Sequence, residues 1–329
     1  MVEMTTAART GASTGPDGGS GLGVVALASY LPGEPVTNDS VGAAIGVDLK
    51  WIQDRIGIRT RHHAAPHEHT SDLATRVARR VAEHSPVGPD LIVLATVTPD
   101  RPVPATACLV QDRLGLPGTP ALDINAACAG FIYALVTAAG TVAVGAARTP
   151  LVIGADVFTR FVDPTDRRTA PLFGDGAGAV QLGPVPEGYG ILATELWADG
   201  SQASYATVPP AGEGWFEMNG RGVSEVVLEM GPKVLGTALT KAGIRLDQLN
   251  RVIVHQANPR LVGTLAESVG LDDRIVPRYG VQTGNTAAAS IPIALVMAHE
   301  EQPFRRGDLV ALVAVGAGMT AGAAVLRWY

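Results

Sequence analysis

The feature that most constrains the fold of this chain is that it reads as two copies of one pattern. Residues 90–116, DLIVLATVTPDRPVPATACLVQDRLGL, and residues 249–271, LNRVIVHQANPRLVGTLAESVGL, each run from an apolar strand-like segment through a polar loop into a helix-like segment. Each closes on Leu-Gly-Leu or Val-Gly-Leu. Beyond that stop the first copy continues with Cys128, a helix and the strand PLVIGAD. The second continues with TGNTAAASIPIAL, a helix and the strand DLVALVAVGAG. Self-similarity on this scale points to an internal duplication. Short apolar runs alternating with Ala-rich amphipathic stretches predict strands that cross over through helices into parallel sheets.

A duplicated α/β unit brings equivalent strand-end loops of the two sheets together across a pseudo-twofold axis, in the kind of crevice that ligands favour. Three residues fall at such strand-to-helix junctions: Cys128 in LDINAACAGF, His255 at the end of RVIVH, and Asn285 before TAAASIPIAL. Each has an ordinary structural alternative. Free cysteine is often a small core residue, a lone histidine is often structural, and asparagine commonly caps a helix. Their joint placement gives them weight. A thiol at a helix N-terminus sits near unpaired backbone N–H groups and the positive end of the macrodipole, so a lowered pKa is expected for Cys128. Ala126, Ala127, Ala129 and Gly130 around it leave room for an acyl chain. Cys108 is expected to be buried on a helix.

The length, 329 residues, exceeds the usual size of one compact core and predicts two packed halves, 21–185 and 186–329. An interior drawn from 47% hydrophobic residues, with only 5% aromatics and 39 glycines, suits closely packed α/β layers. The formal net charge of -6 provides no basic field for a nucleic-acid backbone, so no nucleic-acid partner is expected. Two cysteines cannot form a disulfide framework, and no stretch resembles a signal peptide or a membrane span. A soluble, cytoplasmic protein without membrane attachment is the expectation. Residues 1–20, nearly devoid of large apolar side chains, read as a disordered tail. Four histidines between positions 62 and 69 lack a ligand set at metal-site spacing, so no metal is expected. GDGAGA at 174–179 lacks dinucleotide-loop spacing and reads as a tight turn.

Several linked segments in one order, WIQDRIGIRTRHHAAP, LDINAACAGF, DPTDRRT, LFGDGAGAV, VHQANPR, GNTAAAS and VGAGMTAG, resemble the ketoacyl-ACP synthase III family of thiolase-fold condensing enzymes. The likeness covers nearly the whole chain from Gly21. It implies a duplicated five-layer αβαβα thiolase fold, a homodimer, and a catalytic Cys128, His255 and Asn285. It also implies acyl-CoA as a substrate without a cofactor, and an acyl carrier protein as partner. The oxyanion would be held by the backbone N–H of Cys128 and one from the turn near Ala317. Trp51, Arg55, Arg167, Asn258 and Arg260 would line a coenzyme A tunnel, with Trp51 and Arg167 enclosing the adenine. The resemblance implies acylation of Cys128 and condensation with malonyl-ACP, priming fatty acid or polyketide synthesis. An alternative is acyl transfer to a small acceptor or carrier without decarboxylation.

Relatives are separated by the same residues. Degradative thiolases use a second cysteine near the C-terminus, and none follows Cys128; elongating synthases use two histidines where this chain has His255 and Asn285. Three positions depart from the family pattern. Val103 stands where some members carry a phenylalanine that closes the acyl pocket from across the dimer, which predicts a deeper pocket. Ser224 replaces an aromatic along the tunnel. Glu225, Glu267 and Ser268 stand where lysines commonly help to dock the carrier.

Overall fold

The computed structural model describes residues 21–210 and 213–329; residues 1–20, read above as a tail, lie outside the described residues. The strands are β1 (Gly21–Tyr30), β2 (Val36–Thr37), β3 (Thr60–Arg61), β4 (Leu91–Ala95), β5 (Ala121–Ile124), β6 (Pro150–Asp156), β7 (Gly176–Val185), β8 (Gly190–Ala198), β9 (Ala206–Thr207), β10 (Glu217–Met218), β11 (Arg251–Val254), β12 (Leu309–Gly316) and β13 (Thr320–Arg327). The α-helices are α1 (Asn38–Ile45), α2 (Leu49–Arg55), α3 (Thr70–His84), α4 (Thr106–Arg113), α5 (Gly130–Ala143), α6 (Gly220–Ala242), α7 (Pro259–Ser268), α8 (Gly280–Thr283) and α9 (Ser290–Glu301).

The strand sequences explain the layering. In β4, Leu91, Val93 and Ala95 enter a central core while Ile92 and Leu94 enter an outer one. In β12, Val310, Leu312 and Ala314 face the same central core, and Leu309, Ala311, Val313 and Val315 face another outer one. Side chains alternate between faces with period two, so a continuous apolar run is what a strand covered on both faces requires. The central core is filled from α5 by Phe131, Ile132 and Leu135 and from α9 by Ile291, Ala294 and Leu295. Leu73, Val77 and Val81 of α3 close one outer layer; Val226, Met230 and Val234 of α6 close the other together with Val262 and Leu265 of α7. The result is α, β, α, β, α in five layers.

The two sheets repeat one topology. The first has the order β1-β7-β6-β4-β5, and the second, taken from its far edge, β8-β13-β12-β11. In both, the first three strands are antiparallel neighbours and the fourth is parallel to the third. Strands of the first sheet end at Val185, and those of the second begin at Gly190. The duplication is incomplete at one place: among the described residues β5 has no counterpart strand. A trace remains, because Ile92 N–H donates to Pro120 O at 2.9 Å and Val252 N–H donates to Ile275 O at 2.8 Å. Pro277, which has no N–H to give, follows two residues later and the segment stays irregular.

Cys108 corrects an expectation. It lies on α4 but is exposed, not buried. The two-turn helix turns Thr106, Ala107 and Val110 inward, and this leaves Cys108 on the outer face with its Sγ 3.8 Å from Ala121 O at the edge of the sheet.

Candidate active site

The two halves meet at a pair of matching turns. Residues Ala127–Ala129 and Ala287–Ala289 each form one 3₁₀ turn that leads into α5 and α9 respectively. Ala127 and Ala287 both adopt left-handed backbone, with φ of 48° and 47°. For a residue with a Cβ this costs about 1–2 kcal/mol, so something must hold it. In both turns an asparagine does: Asn125 Oδ1 accepts the Ala127 N–H at 3.1 Å, and Asn285 Oδ1 accepts the Ala287 N–H at 2.9 Å. Cys128 and Ala288 are therefore counterparts. The same bond orients Asn285, since its oxygen must face the donor and its Nδ2 is left as the free end of the amide.

The strand ends that face these turns are counterparts as well. Val93 pairs with Val152 and Ile253 with Leu312, which places Asp156 and Gly316 at equivalent ends of β6 and β12. In the C-terminal half the Ala288 N–H is capped at 2.8 Å by Asp156 Oδ2. In the N-terminal half glycine replaces the acid: a Cβ on Gly316 would lie 2.6 Å from the Cys128 nitrogen. Apart from the residue's own sulfur, no acceptor among the described residues takes the Cys128 N–H. One elbow is plugged by a carboxylate, and the elbow that carries the thiol is left open.

A cavity of about 600 Å³ opens beside it, lined by Cys128, His255 and Asn285, by Asn258 and Ser224, and by the turn Gly316–Ala317–Gly318. Sequence reasoning did not find its wall of three phenylalanines. Phe158 stacks on Phe173 with ring centres 4.4 Å apart, and Phe216 packs edge-on at 5.2 and 5.3 Å from them. The only signal was their rarity in an aromatic-poor chain.

His255 follows β11, where its N–H donates to Val313 O at 2.8 Å. Burial pushes its pKa down to about 4, so the ring is neutral at physiological pH. Its Nδ1 has no partner among the described residues. Gln256, also unnoticed in the sequence, braces the loop. Its Nε2 donates to Val254 O at 2.7 Å, and its Oε1 accepts the Gly280 N–H at 2.8 Å.

The expected lowering of the Cys128 pKa is overturned. Burial, and after it the charge of Asp156, pushes the thiol up to about 12; its own backbone N–H works the other way and is outweighed. The half-buried thiol lies at the wall of a largely apolar cavity, where the penalty for a naked thiolate exceeds the benefit of the helix start. Iodoacetamide should accordingly label exposed Cys108 before Cys128 at pH 7. The Cys128 rate should climb about tenfold per pH unit from 7 to 9, because thiolate is the nucleophile and stays a minor species throughout. A rate already level near neutrality would contradict this.

Asn258 lines the cavity and caps α7, its side chain accepting the Leu261 N–H at 2.8 Å. The other tunnel candidates lie outside the cavity lining. Arg167 sits over Trp51, 5.6 Å from the ring centre. Arg55 ends α2, and Arg260 is the second residue of α7; both are exposed, and a Cβ on Gly57, just after α2, would lie 3.2 Å from Pro259. Val103 is 81% exposed in the loop before α4 and does not line this chain's own cavity. Glu225, ion-paired with Arg221 at 2.9 Å, and Glu267 are exposed. Among the described residues no group of three or more His, Cys, Asp or Glu side chains converges as a metal site, and no helix is long and apolar enough to cross a membrane.

Two repeated sheets with a cysteine-bearing elbow at their meeting point define a thiolase-fold condensing enzyme. The family models described as 3-oxoacyl-[acyl-carrier-protein] synthase III match residues 122–200, and, for its C-terminal part, 239–328. Beta-ketoacyl-[acyl-carrier-protein] synthase III of Geobacillus kaustophilus is 42% identical, over 94% of this chain and 99% of that protein. The crystal structure of 3-oxoacyl-[acyl-carrier-protein] synthase III from Aquifex aeolicus superposes with a TM-score of 0.89 at 39% identity, covering 94% of this chain and 100% of that one. The priming beta-ketosynthase of the R1128 polyketide biosynthetic pathway gives 0.88 at 30% identity, covering 94% and 97%. The chain belongs to the 3-oxoacyl-[acyl-carrier-protein] synthase III family and is an acyltransferase of the condensing type.

Proposed function

We propose that the protein takes an acyl group from acyl-CoA onto Cys128 and extends it with malonyl-ACP, without a cofactor or metal. The observation that carries this reading is the shared cavity: Cys128 with its uncapped N–H, the neutral His255 and Asn285 line one space. In the first half-reaction the Cys128 sulfur attacks the thioester carbon while the C–S bond to coenzyme A breaks. The thiol proton leaves with the coenzyme A sulfur, and no net charge is created. The transient oxyanion is held by the Cys128 N–H and by an N–H of the turn at Ala317. In the second, malonyl thioester loses carbon dioxide while His255 and Asn285 Nδ2 donate to its thioester oxygen. The resulting carbanion attacks the acyl carbon and expels the Cys128 sulfur. A neutral His255 suits this role, since it donates a hydrogen bond rather than a charge.

Trp51 and Arg167 touch each other, and an adenine sliding between them would exchange that contact for stacking on both faces. Arg55 at the end of α2, and Asn258 and Arg260 at the start of α7, suit the phosphates and pantetheine arm. The enzyme works as a cytoplasmic homodimer, with Val103 of each protomer closing its partner's acyl pocket, and primes fatty acid or polyketide synthesis. Replacing a ring by valine there opens space, and each extra buried methylene is worth about 0.8 kcal/mol, or roughly fourfold. Butyryl-CoA and branched acyl-CoAs should therefore acylate Cys128 faster than acetyl-CoA, and Val103→Phe should reverse the order. Acetyl-CoA as the best donor of the unaltered enzyme would refute the deeper pocket.

The test of the whole reading is carbon dioxide release from malonyl-ACP that depends on prior acylation. Transfer of the acyl group to a small acceptor with no release would establish the alternative of a non-decarboxylating acyltransferase. That alternative draws on the acidic Glu225 and Glu267, which would weaken docking of an acidic carrier.

A further inference from the structure

Asp156 is fully buried at the end of β6, and every contact it makes is with a donor. Its Oδ1 accepts from Thr96 Oγ1 at 2.9 Å, Val97 N–H at 2.8 Å, Thr98 N–H at 3.2 Å and Thr98 Oγ1 at 2.9 Å. Its Oδ2 accepts the Ala288 N–H at 2.8 Å. A lone carboxylate without a cationic partner is costly to bury, and this one is held by hydrogen bonds alone. It stands on the C-terminal elbow where, on the N-terminal elbow, the oxyanion of the acylation step would stand on Cys128. The turn it grips is the one whose strained Ala287 is held by Asn285.

We propose that Asp156 is a positioning residue for Asn285: a buried carboxyl group from the N-terminal half that locks the C-terminal elbow so that the Asn285 amide points into the cavity. This rests on the reading of His255 and Asn285 as the pair that serves decarboxylation. The carboxylate anchors Ala288, Ala288 fixes the 3₁₀ turn, and the turn presents the Ala287 N–H that orients Asn285. A side effect follows from proximity, since the same charge disfavours the Cys128 thiolate. Asp156 thus sets the second half-reaction at the expense of thiol acidity.

Asp156→Asn keeps the shape but turns an N–H₂ toward a ring of donors. Three measurements on the full-length protein decide the matter: Cys128 acylation by acyl-CoA, carbon dioxide release from malonyl-ACP by the acyl-enzyme, and Cys128 alkylation by iodoacetamide at pH 8. Acylation is expected to stay within about threefold of wild type, and decarboxylation to fall about tenfold or more, short of the roughly 10²–10³ that outright removal of a transition-state donor costs. Alkylation is expected to accelerate, by about tenfold for each unit of thiol pKa relieved. A purely structural role would depress acylation and decarboxylation together and would not speed alkylation; that pattern, or unchanged decarboxylation, overturns the proposal. Should the variant fail to fold, Thr96→Val, which removes one donor to Oδ1, probes the same carboxylate on a smaller scale: a selective drop in decarboxylation supports the proposal, equal or absent effects overturn it. A wild-type acyl-enzyme that releases no carbon dioxide would instead refute the underlying assignment of the reaction.

Discussion

Replacing Gly316 by alanine is expected to slow acylation of Cys128 by about 10²–10³, the loss seen when an oxyanion donor is removed. The reason is space rather than backbone strain. An added Cβ would lie 2.6 Å from the Cys128 nitrogen, 2.8 Å from the Ala129 nitrogen and 3.1 Å from the Ala126 oxygen. All three are backbone atoms of a tight turn, which cannot swing aside as a side chain would. The methyl group would cover the N–H that has no other acceptor, much as Asp156 covers the Ala288 N–H in the other half. The rate of appearance of acyl-enzyme by mass spectrometry, alongside a melting curve, measures the effect. A variant that melts near wild type yet acylates within about threefold of it would show that this N–H does not serve the oxyanion.

His255→Ala and Asn285→Ala should fail at the other half-reaction. Both are expected to form acyl-enzyme within about tenfold of wild type, and to lose malonyl decarboxylation by about 10²–10³, since each removes a donor to the developing enolate. Burial holds His255 neutral down to about pH 4, so wild-type decarboxylation should not gain or lose a histidine charge between pH 6 and 9. Asn285→Ala also frees the Ala287 N–H and should be the more damaging to stability. Decarboxylation at wild-type rates in either variant would remove that residue from the role assigned to it.

Much of this architecture is legible in the sequence because it depends on periodic patterns. Doubly covered strands must be continuously apolar, and a duplicated unit repeats its turns, so β4 with β11 and the two elbows stand out without coordinates. The convergence of Cys128, His255 and Asn285 on one cavity follows from the same symmetry. What the sequence hides is set by partners distant in the chain. The direction of the Cys128 pKa depends on burial and on Asp156, which belongs to a different strand, and a rule about helix starts alone points the wrong way. The phenylalanine wall is assembled from three separate segments. The missing counterpart of β5 hinges on Pro277, whose effect is local and outside the repeat. Exposure of Cys108 turns on which face a two-turn helix presents, too short a stretch for periodicity to decide.

Acylation of Cys128 followed by decarboxylative condensation is tested most directly by a single-turnover chase. The protein is incubated with one equivalent of acyl-CoA, the Cys128 peptide is weighed, and malonyl-ACP is then added while adduct and carbon dioxide are followed together. One acyl mass is expected on the Cys128 peptide, then loss of that mass with one carbon dioxide released per adduct. An acyl group found elsewhere, or an adduct discharged without carbon dioxide, would contradict the mechanism.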